Sequence, residues 1–517
     1  MERERERERE TCWSFSSFFS LLFLYLLKTM ATASATTDGG RSPRSSFDTA
    51  MEKADALLAS TESILSSAGD DSESLLNSSS SDSSGAMGKG IPKTSGVIFN
   101  LVNAVVGAGV LAQPFCFKTA GVFAASLFLC ATALFTSWSL FMMAFVGKRS
   151  GKQGYSEAVQ FYFSTNGAIA TDFFIAFLNF GTSIAYLDVL ADIFCGWIGA
   201  NSKIGGLFAV LVFILFPLCC IRTFDQLSFT SYLGSAIYGT FGIAVFIIFM
   251  TGPGGDEGAP GAENRGDLEP GFTLEFARVI PIQTLAFACH TVLFPVYSEF
   301  MAAPGATTKV FNGAVSTSIV LCCILYLVIG VFGSLTFGNA TAGDILLNYS
   351  ANHGVSTFFL QCVFAISLCF TYPLVVFPLR DSLDKLLMRI PSFERLVFSY
   401  RPDTKAKSER WYGETIVVML LGFMTAVVLP SIEVIFGLTG SIAGTTLCFI
   451  IPSKMYLKSI ETARNAMEDP HLIKWRFRAK VVMYLSIPLG FLGFLLTIIK
   501  LASEDQEIIS MCGNVGR

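Results

Sequence analysis

The sequence predicts an all-α integral membrane protein of about eleven transmembrane helices, paired as inverted five-helix repeats in which helices 1 and 6 are broken. Three observations predict it. Of 517 residues, 52% are hydrophobic and only 15% are charged, against roughly 25% charged in an average soluble domain, which excludes an ordinary soluble enzyme. Apolar runs long enough to cross roughly 30 Å of hydrocarbon recur along most of the chain. Two of those runs, five apart in order, carry helix-breaking residues. A net charge of -4 leaves no basic face to displace counterions from phosphate, so the partner is the bilayer and not a nucleic acid. Most of the 13 cysteines lie inside apolar runs, including Cys130, Cys219, Cys322, Cys323 and Cys448, where sulfur acts as a small apolar group. No zinc spacing, disulfide framework or nucleophile–base set stands out, so neither an enzyme nor a cofactor is expected.

The amino-terminal region, residues 1–94, reads as a cytosolic tail without a core of its own. Residues 1–10 alternate Glu and Arg as a GA dinucleotide repeat does when read in triplets, and the apolar stretch Ser14 to Leu27 is short for a span. Met30 is therefore an alternative start, with 1–29 as a leader. Residues 31–90 hold 16 serines with scattered acids, too little apolar surface to offset ordering entropy.

The remainder, 95–502, contains apolar segments at 96–117, 121–146, 168–199, 205–222, 229–251, 277–301, 310–337, 355–378, 413–430, 432–453 and 480–500, here spans 1 to 11. Residues 503–517 form a short tail. The connections after spans 2, 4, 6, 8 and 10 carry twenty Lys and Arg, and the opposite side about six. By the positive-inside tendency the amino terminus is cytosolic and the carboxyl terminus outside or lumenal. The acidic, Gly- and Pro-rich loop from Gly252 to Glu275 falls on that outer side, as do the glycosylation acceptor patterns at Asn339 and Asn348. Between spans 2 and 3, Tyr155, Ala158, Val159, Tyr162 and Phe163 have helical spacing and predict a helix along the cytosolic surface.

Two spans are predicted to open. Span 1 has Gly107 and Gly109 around Ala108 at its middle, with Pro114 beyond; span 6 has Pro295 in a segment that also holds Cys289, His290 and Glu299. Freed amides at a half-helix amino terminus suit a carboxylate, and freed carbonyls suit a cation. Close packing against a neighbour is the alternative use of the glycine pair.

The residues that carry these features also carry a resemblance. Phe99-Asn100-Leu101-Val102-Asn103-Ala104-Val105-Val106-Gly107-Ala108-Gly109-Val110-Leu111, Phe287-Ala288-Cys289-His290 with Pro295-Val296-Tyr297-Ser298-Glu299, and Thr371-Tyr372-Pro373 with Phe377-Pro378-Leu379-Arg380 resemble signatures of the amino acid/auxin permease family, in particular its sodium-coupled neutral amino acid transporter branch and vacuolar relatives. The resemblance covers roughly residues 95 to 500 and implies a leucine-transporter type fold and alternating-access symport of amino acids. It places the substrate at Gly107, Ala108 and Gly109 with Cys289 and His290, and a sodium ion at Asn103, Val106 and Thr371. Read without it, Asn103 is an inter-helix hydrogen-bonding residue and Thr371 a residue bonded back to its own helix.

Span 3 departs from the family pattern. Tyr186-Leu187-Asp188-Val189-Leu190-Ala191-Asp192 resembles a family Tyr-Leu-x-x-x-Gly-Asp stretch, but Asp188 stands where an apolar residue is usual. Asp188 and Asp192 share one helical face, as proton acceptors or as acids at a wet helix end, so the coupling ion is sodium or a proton. His290 reads as a packed, hydrogen-bonded histidine or a proton relay. Glu299 reads as a gate partner for a base such as Arg380 or as a solvated end charge, and Arg222 with Asp225, and Arg380 with Asp381 and Asp384, as interfacial ion pairs. The functional alternative to a symporter is an amino acid sensor signalling through the tail. The membrane is the plasma membrane or that of a vacuole or lysosome.

Overall fold

Apart from openings in spans 1 and 6, the described residues of the eleven spans are helical in the computed structural model, which describes residues 94–198, 203–220, 227–251, 276–350, 355–390, 404–428, 431–462 and 470–515. The Ser-rich tail, the leader, Arg222 with Asp225, and the loop from 252 to 275 lie outside the described residues. In chain order the helices are α1 (Thr94–Val105), α2 (Gln113–Ala120), α3 (Val122–Ser150), α4 (Tyr155–Tyr162), α5 (Thr165–Ile198), α6 (Lys203–Val210), α7 (Phe216–Cys220), α8 (Leu227–Thr251), α9 (Phe276–Ala286) and α10 (His290–Met301). They continue with α11 (Thr308–Phe337), α12 (Ile345–Ser350), α13 (Val355–Leu387), α14 (Thr404–Val428), α15 (Ile432–Thr439), α16 (Ile451–Glu461) and α17 (Pro470–Val515). No strand occurs among the described residues.

The chain is a multi-pass membrane protein. Among the described residues, nine helices are long and apolar enough to cross a bilayer, and the bent pair Thr94–Val105 and Ala108–Ala120 makes a tenth. Span 4 is a shorter apolar helix, Ile204–Cys220, with a π-helical turn at Leu211–Leu215. Lipid-facing surface is apolar, with Phe213, Val428 and Phe491 among the most exposed side chains, as expected where hydrocarbon replaces water. Spans 3 and 8 pack along each other, while α11 packs on both halves of span 1, on α3 and on α8. The buried hydroxyls along these helices mostly bond back one turn, as Ser126 does to Val122 and Thr171 to Gly167, which removes polar cost inside the bilayer.

The structure corrects several expectations. Pro295 does not open span 6: it sits inside α10, and the interruption is upstream at Phe287–Cys289. Pro295 is the sixth of the twelve residues of α10 and removes one helical bond without ending the helix. Span 8 runs on to Leu387 through Pro373 and Pro378. The helix α4 forms as predicted and buries Tyr155, Ala158 and Val159, but Phe163 is exposed because it follows the last turn. Span 10 changes pitch twice, at the π-helical Gly440–Gly444 and Thr446–Ile450, which periodicity alone does not reveal.

Candidate functional site

Span 1 loses its helix after Val105. Val106 and Gly107 are non-helical, Ala108–Val110 forms a single 3-10 turn, and the second half leaves at 63° to the first. Span 6 loses its helix at Ala286 and resumes at His290. The two openings meet: a β-carbon on Gly109 would stand 3.0 Å from the Cα and Cβ of Ala286. Tyr326 of α11 joins them, its hydroxyl lying 2.9 Å from the Val105 carbonyl and 2.8 Å from the Ala286 carbonyl. Both oxygens belong to helix ends that lack a partner in their own helix.

The amides of Ala108 and Gly109 begin the second half of span 1, where donors have no partner in their own turn. A third span closes over them. Tyr186 of span 3 sets its hydroxyl against the Ala108 amide and the Thr371 hydroxyl, and a β-carbon on Gly107 would collide with that oxygen. Gln113 Nε2 donates to the Gly109 carbonyl at 3.1 Å, one turn back, so part of the opened backbone is already satisfied. The Gly107 amide donates to the Val105 carbonyl at 3.1 Å, so what remains is a small patch of donors at Ala108 and Gly109 walled by Tyr186 and Ala286. Such a patch can take a carboxylate.

The ion residues lie beside it. Asn103 is buried and its Oδ1 has no hydrogen-bond partner. Thr371 bonds back to the Ser367 carbonyl at 2.9 Å and to Leu368 at 3.3 Å, the helix-bound geometry of the alternative reading, while its oxygen still faces Tyr186 and Tyr238. Val106, also buried, sits at the opening itself. Cys289 is buried at the span 6 opening. His290, 1% exposed, puts Nε2 3.1 Å from Ser139 Oγ, and Ser139 in turn donates to the Cys448 carbonyl of span 10. Because Ser139 spends its proton on Cys448, it accepts from His290, which assigns the neutral Nε2–H tautomer and leaves Nδ1 without a partner. Asp188 is buried in span 3 and Asp192, one turn on, is half-buried.

Outside the opened helices, the loop after span 7 docks on the second half of span 1. Lys118 Nζ donates to the Thr341 carbonyl at 3.0 Å, and the Ile345 amide donates to the Leu111 carbonyl at 3.3 Å. At the other face Arg389 of span 8 lies 3.8 Å from the buried Asp172 of span 3. Arg380 stacks on Trp411 and donates to Thr415 at 3.2 Å, Glu299 is exposed, and Asp381 pairs with Lys385 at 2.7 Å. Of the acceptor asparagines, Asn339 is exposed while Asn348 is folded into its own loop.

Sequence reasoning missed Tyr326, Tyr238, Ser139 and Gln113. Tyr326 and Tyr238 carried a signal, a phenol in mid-span with no interface to reach, since a buried Tyr hydroxyl needs a partner at depth.

Comparison with known proteins places the chain in a family. Residues 93–502 match the family described as transmembrane amino acid transporter protein. The amino acid transporter AVT6E of Arabidopsis thaliana is 24% identical over 435 residues, covering 80% of this chain and 84% of that protein. AVT6A from the same plant is 26% identical over 391 residues, covering 70% of this chain and 81% of that protein. Solute carrier family 38 member 10 of Homo sapiens is 26% identical over 390 residues; the match takes 72% of this chain but only 33% of that longer protein. Among solved structures, a manganese transporter of Eremococcus coleocola superposes with a TM-score of 0.55 at 11% identity, over 85% of this chain and 94% of that one, and the likeness is one of fold, the leucine-transporter type. With the match running from the start of span 1 to the end of span 11, the chain belongs to the transmembrane amino acid transporter protein family.

Proposed function

We propose that this chain is a secondary active transporter that moves neutral amino acids by alternating access, driven by a sodium or proton gradient. The observation that carries the reading is the junction of two opened helices, Val105–Ala108 and Ala286–His290, held against each other by one tyrosine. The amides of Ala108 and Gly109 suit the substrate carboxylate. Asn103, Val106 and Thr371 suit a sodium ion, whereas Asp188 suits a proton. Family membership and the relatives' names as amino acid transporters support the substrate class.

The substrate ammonium then sits beside Cys289 and His290, whose unpartnered Nδ1 is an acceptor. The docked outer loop and the Asp172–Arg389 pair are positioned to act as the outer and inner closures. The amino terminus is taken as cytosolic, with Asn339 on the outer or lumenal side of a plasma, vacuolar or lysosomal membrane.

Uptake of labelled neutral amino acids into proteoliposomes under imposed sodium or pH gradients tests the reading. Gradient-dependent accumulation is expected, and absence of flux for every amino acid under both gradients would overturn it. Thr371→Ala should remove sodium dependence if sodium couples, and Asp188→Asn should remove proton dependence if protons do.

A further inference from the structure

Where span 2 ends and span 11 begins, the chain gathers positive charge that no acid answers. From His471 to Lys480 the sequence holds Lys474, Arg476, Arg478 and Lys480 and no Asp or Glu. None of the four pairs with a carboxylate among the described residues, whereas Lys458, at the end of span 10, has Glu461 at 3.9 Å. Lys148 and Arg149, in the last turn of α3, are exposed at the same end.

One of these bases is held in place. The Arg478 guanidinium lies 5.1 Å from the ring centroid of Trp138 on span 2 and 4.8 Å from that of Trp475 on its own helix. Phe141, one turn beyond Trp138, meets Trp475 edge-on at 6.0 Å, so the two helices run antiparallel there. Indoles gather where a bilayer passes from hydrocarbon to headgroups, and two of them on packed helices mark that level. Stacking uses the flat face of a guanidinium and leaves its edge N–H groups for a ligand, in a fork that matches phosphate oxygens. Lys474 is one turn away on the same face of α17 and adds an ammonium. The apolar surface between the bases points to the occupant: Ile473 and Phe477 are 52% and 69% exposed. A soluble anion leaves that surface bare. A phospholipid covers it with its tails while its phosphate meets the bases.

We propose that Arg478, held between Trp138 and Trp475, forms with Lys474 a binding site for the headgroup phosphate of an anionic phospholipid. With the amino terminus cytosolic, the site faces the inner leaflet, where anionic lipids draw bases that flank a span. Trp138 also stacks on Phe135, and Phe135 meets Phe449 in the second π turn of span 10, so a bound lipid braces three spans at once. The site goes beyond the transport reading and does not require it.

The test is lipid binding to the purified full chain in detergent, titrated with phosphatidylinositol or phosphatidylcholine and read as lipid adducts by native mass spectrometry. No substrate or gradient is present, so failure here leaves the transport reading untouched. Wild type should bind phosphatidylinositol about tenfold more tightly than phosphatidylcholine. Arg478→Gln should bring the two lipids within about twofold, and Arg478→Lys, which keeps the charge and loses the stack, should lose most of the preference. Lys500→Gln, about 33 Å along the same helix, should keep it. Equal binding of both lipids by wild type, or equal loss in Arg478→Gln and Lys500→Gln, overturns the site and leaves the bases as a positive flank only. Displacement of the lipid by excess inorganic phosphate overturns it too, in favour of a soluble anion. Lys474 is exposed, so Lys474→Gln decides the matter should Arg478→Gln fail to fold: a several-fold loss of preference is expected, and an unchanged preference overturns the proposal.

Discussion

The Tyr326 hydroxyl lies 2.8 Å from the carbonyl of Ala286, the last helical residue before the span 6 opening, and shares its one proton with the Val105 carbonyl 2.9 Å away at the span 1 opening. One side chain on a straight helix thus holds two interrupted ones in register. Tyr326→Phe should retain the ring packing against Phe287, whose centroid is 5.2 Å away, while taking a donor from both carbonyls and leaving Val105 with the Gly107 amide at 3.1 Å. Each lost bond is worth about 0.5–1.5 kcal/mol. The expected outcome is near-normal expression, a lower melting temperature in detergent and amino acid uptake reduced by about tenfold. Unchanged uptake would mean that the two openings are held together by packing alone.

The glycine pair in span 1 separates two kinds of crowding. A β-carbon at Gly107 meets the Tyr186 hydroxyl, a side-chain atom that a second substitution can remove; one at Gly109 meets the Ala286 backbone at 3.0 Å, which nothing can remove. Gly107→Ala should therefore lose most uptake and regain part of it in the Gly107→Ala, Tyr186→Phe double variant. Gly109→Ala should stay inactive in either background. Gly96→Ala, with nothing within 4 Å of the added carbon, should be silent. Initial-rate uptake of these variants, corrected for protein amount, is the measurement. Equal losses at Gly96 and Gly107 would remove the steric argument.

These residues also mark how far the sequence carries. Gly107 and Gly109 announced the first opening because glycine weakens a helix locally, and the structure opens there. The second opening was assigned to the right span but to the wrong residue, since Pro295 is a visible helix breaker whereas Phe287-Ala288-Cys289 carries no breaker at all. There the helix yields to tertiary contacts, among them Tyr326 on Ala286, which no local pattern encodes. The apolar runs were legible for the simple reason that lipid demands them. The π turns of span 10 and the partners of His290 were not, because they follow from which helix lies next to which.

The two acceptor asparagines predict different fates. Asn348 accepts from the Ala342 amide at 2.8 Å and donates to the Ala340 carbonyl at 2.9 Å, closing the loop that docks on Lys118. A glycan on its Nδ2 would replace the second bond. Asn339 is exposed and free of that duty. A single deglycosidase-sensitive mobility shift is expected, lost in Asn339→Gln and retained in Asn348→Gln, while Asn348→Gln lowers thermal stability. A shift that survives Asn339→Gln would reverse the assignment.

Tyr155 of α4 donates to the Leu447 carbonyl at 2.7 Å, and Ser139 donates to the adjacent Cys448 carbonyl. Both acceptors belong to the second π turn of span 10, where the change of pitch displaces carbonyls from their usual helical partners. Tyr155→Phe should therefore destabilise the protein by about 1 kcal/mol, more if Leu447 finds no water. Burial raises the Tyr155 pKa well above its ordinary value near 10. A folded-state pKa above the unfolded one gives a contribution that is complete below the unfolded value and fades only as pH rises through the folded one. The difference in melting temperature between wild type and Tyr155→Phe should accordingly be the same at about pH 5 and pH 8, on both the acidic and the neutral side of any gradient the protein meets. A difference that grows between those two conditions would show that the phenol is not the group holding span 10 in its altered pitch.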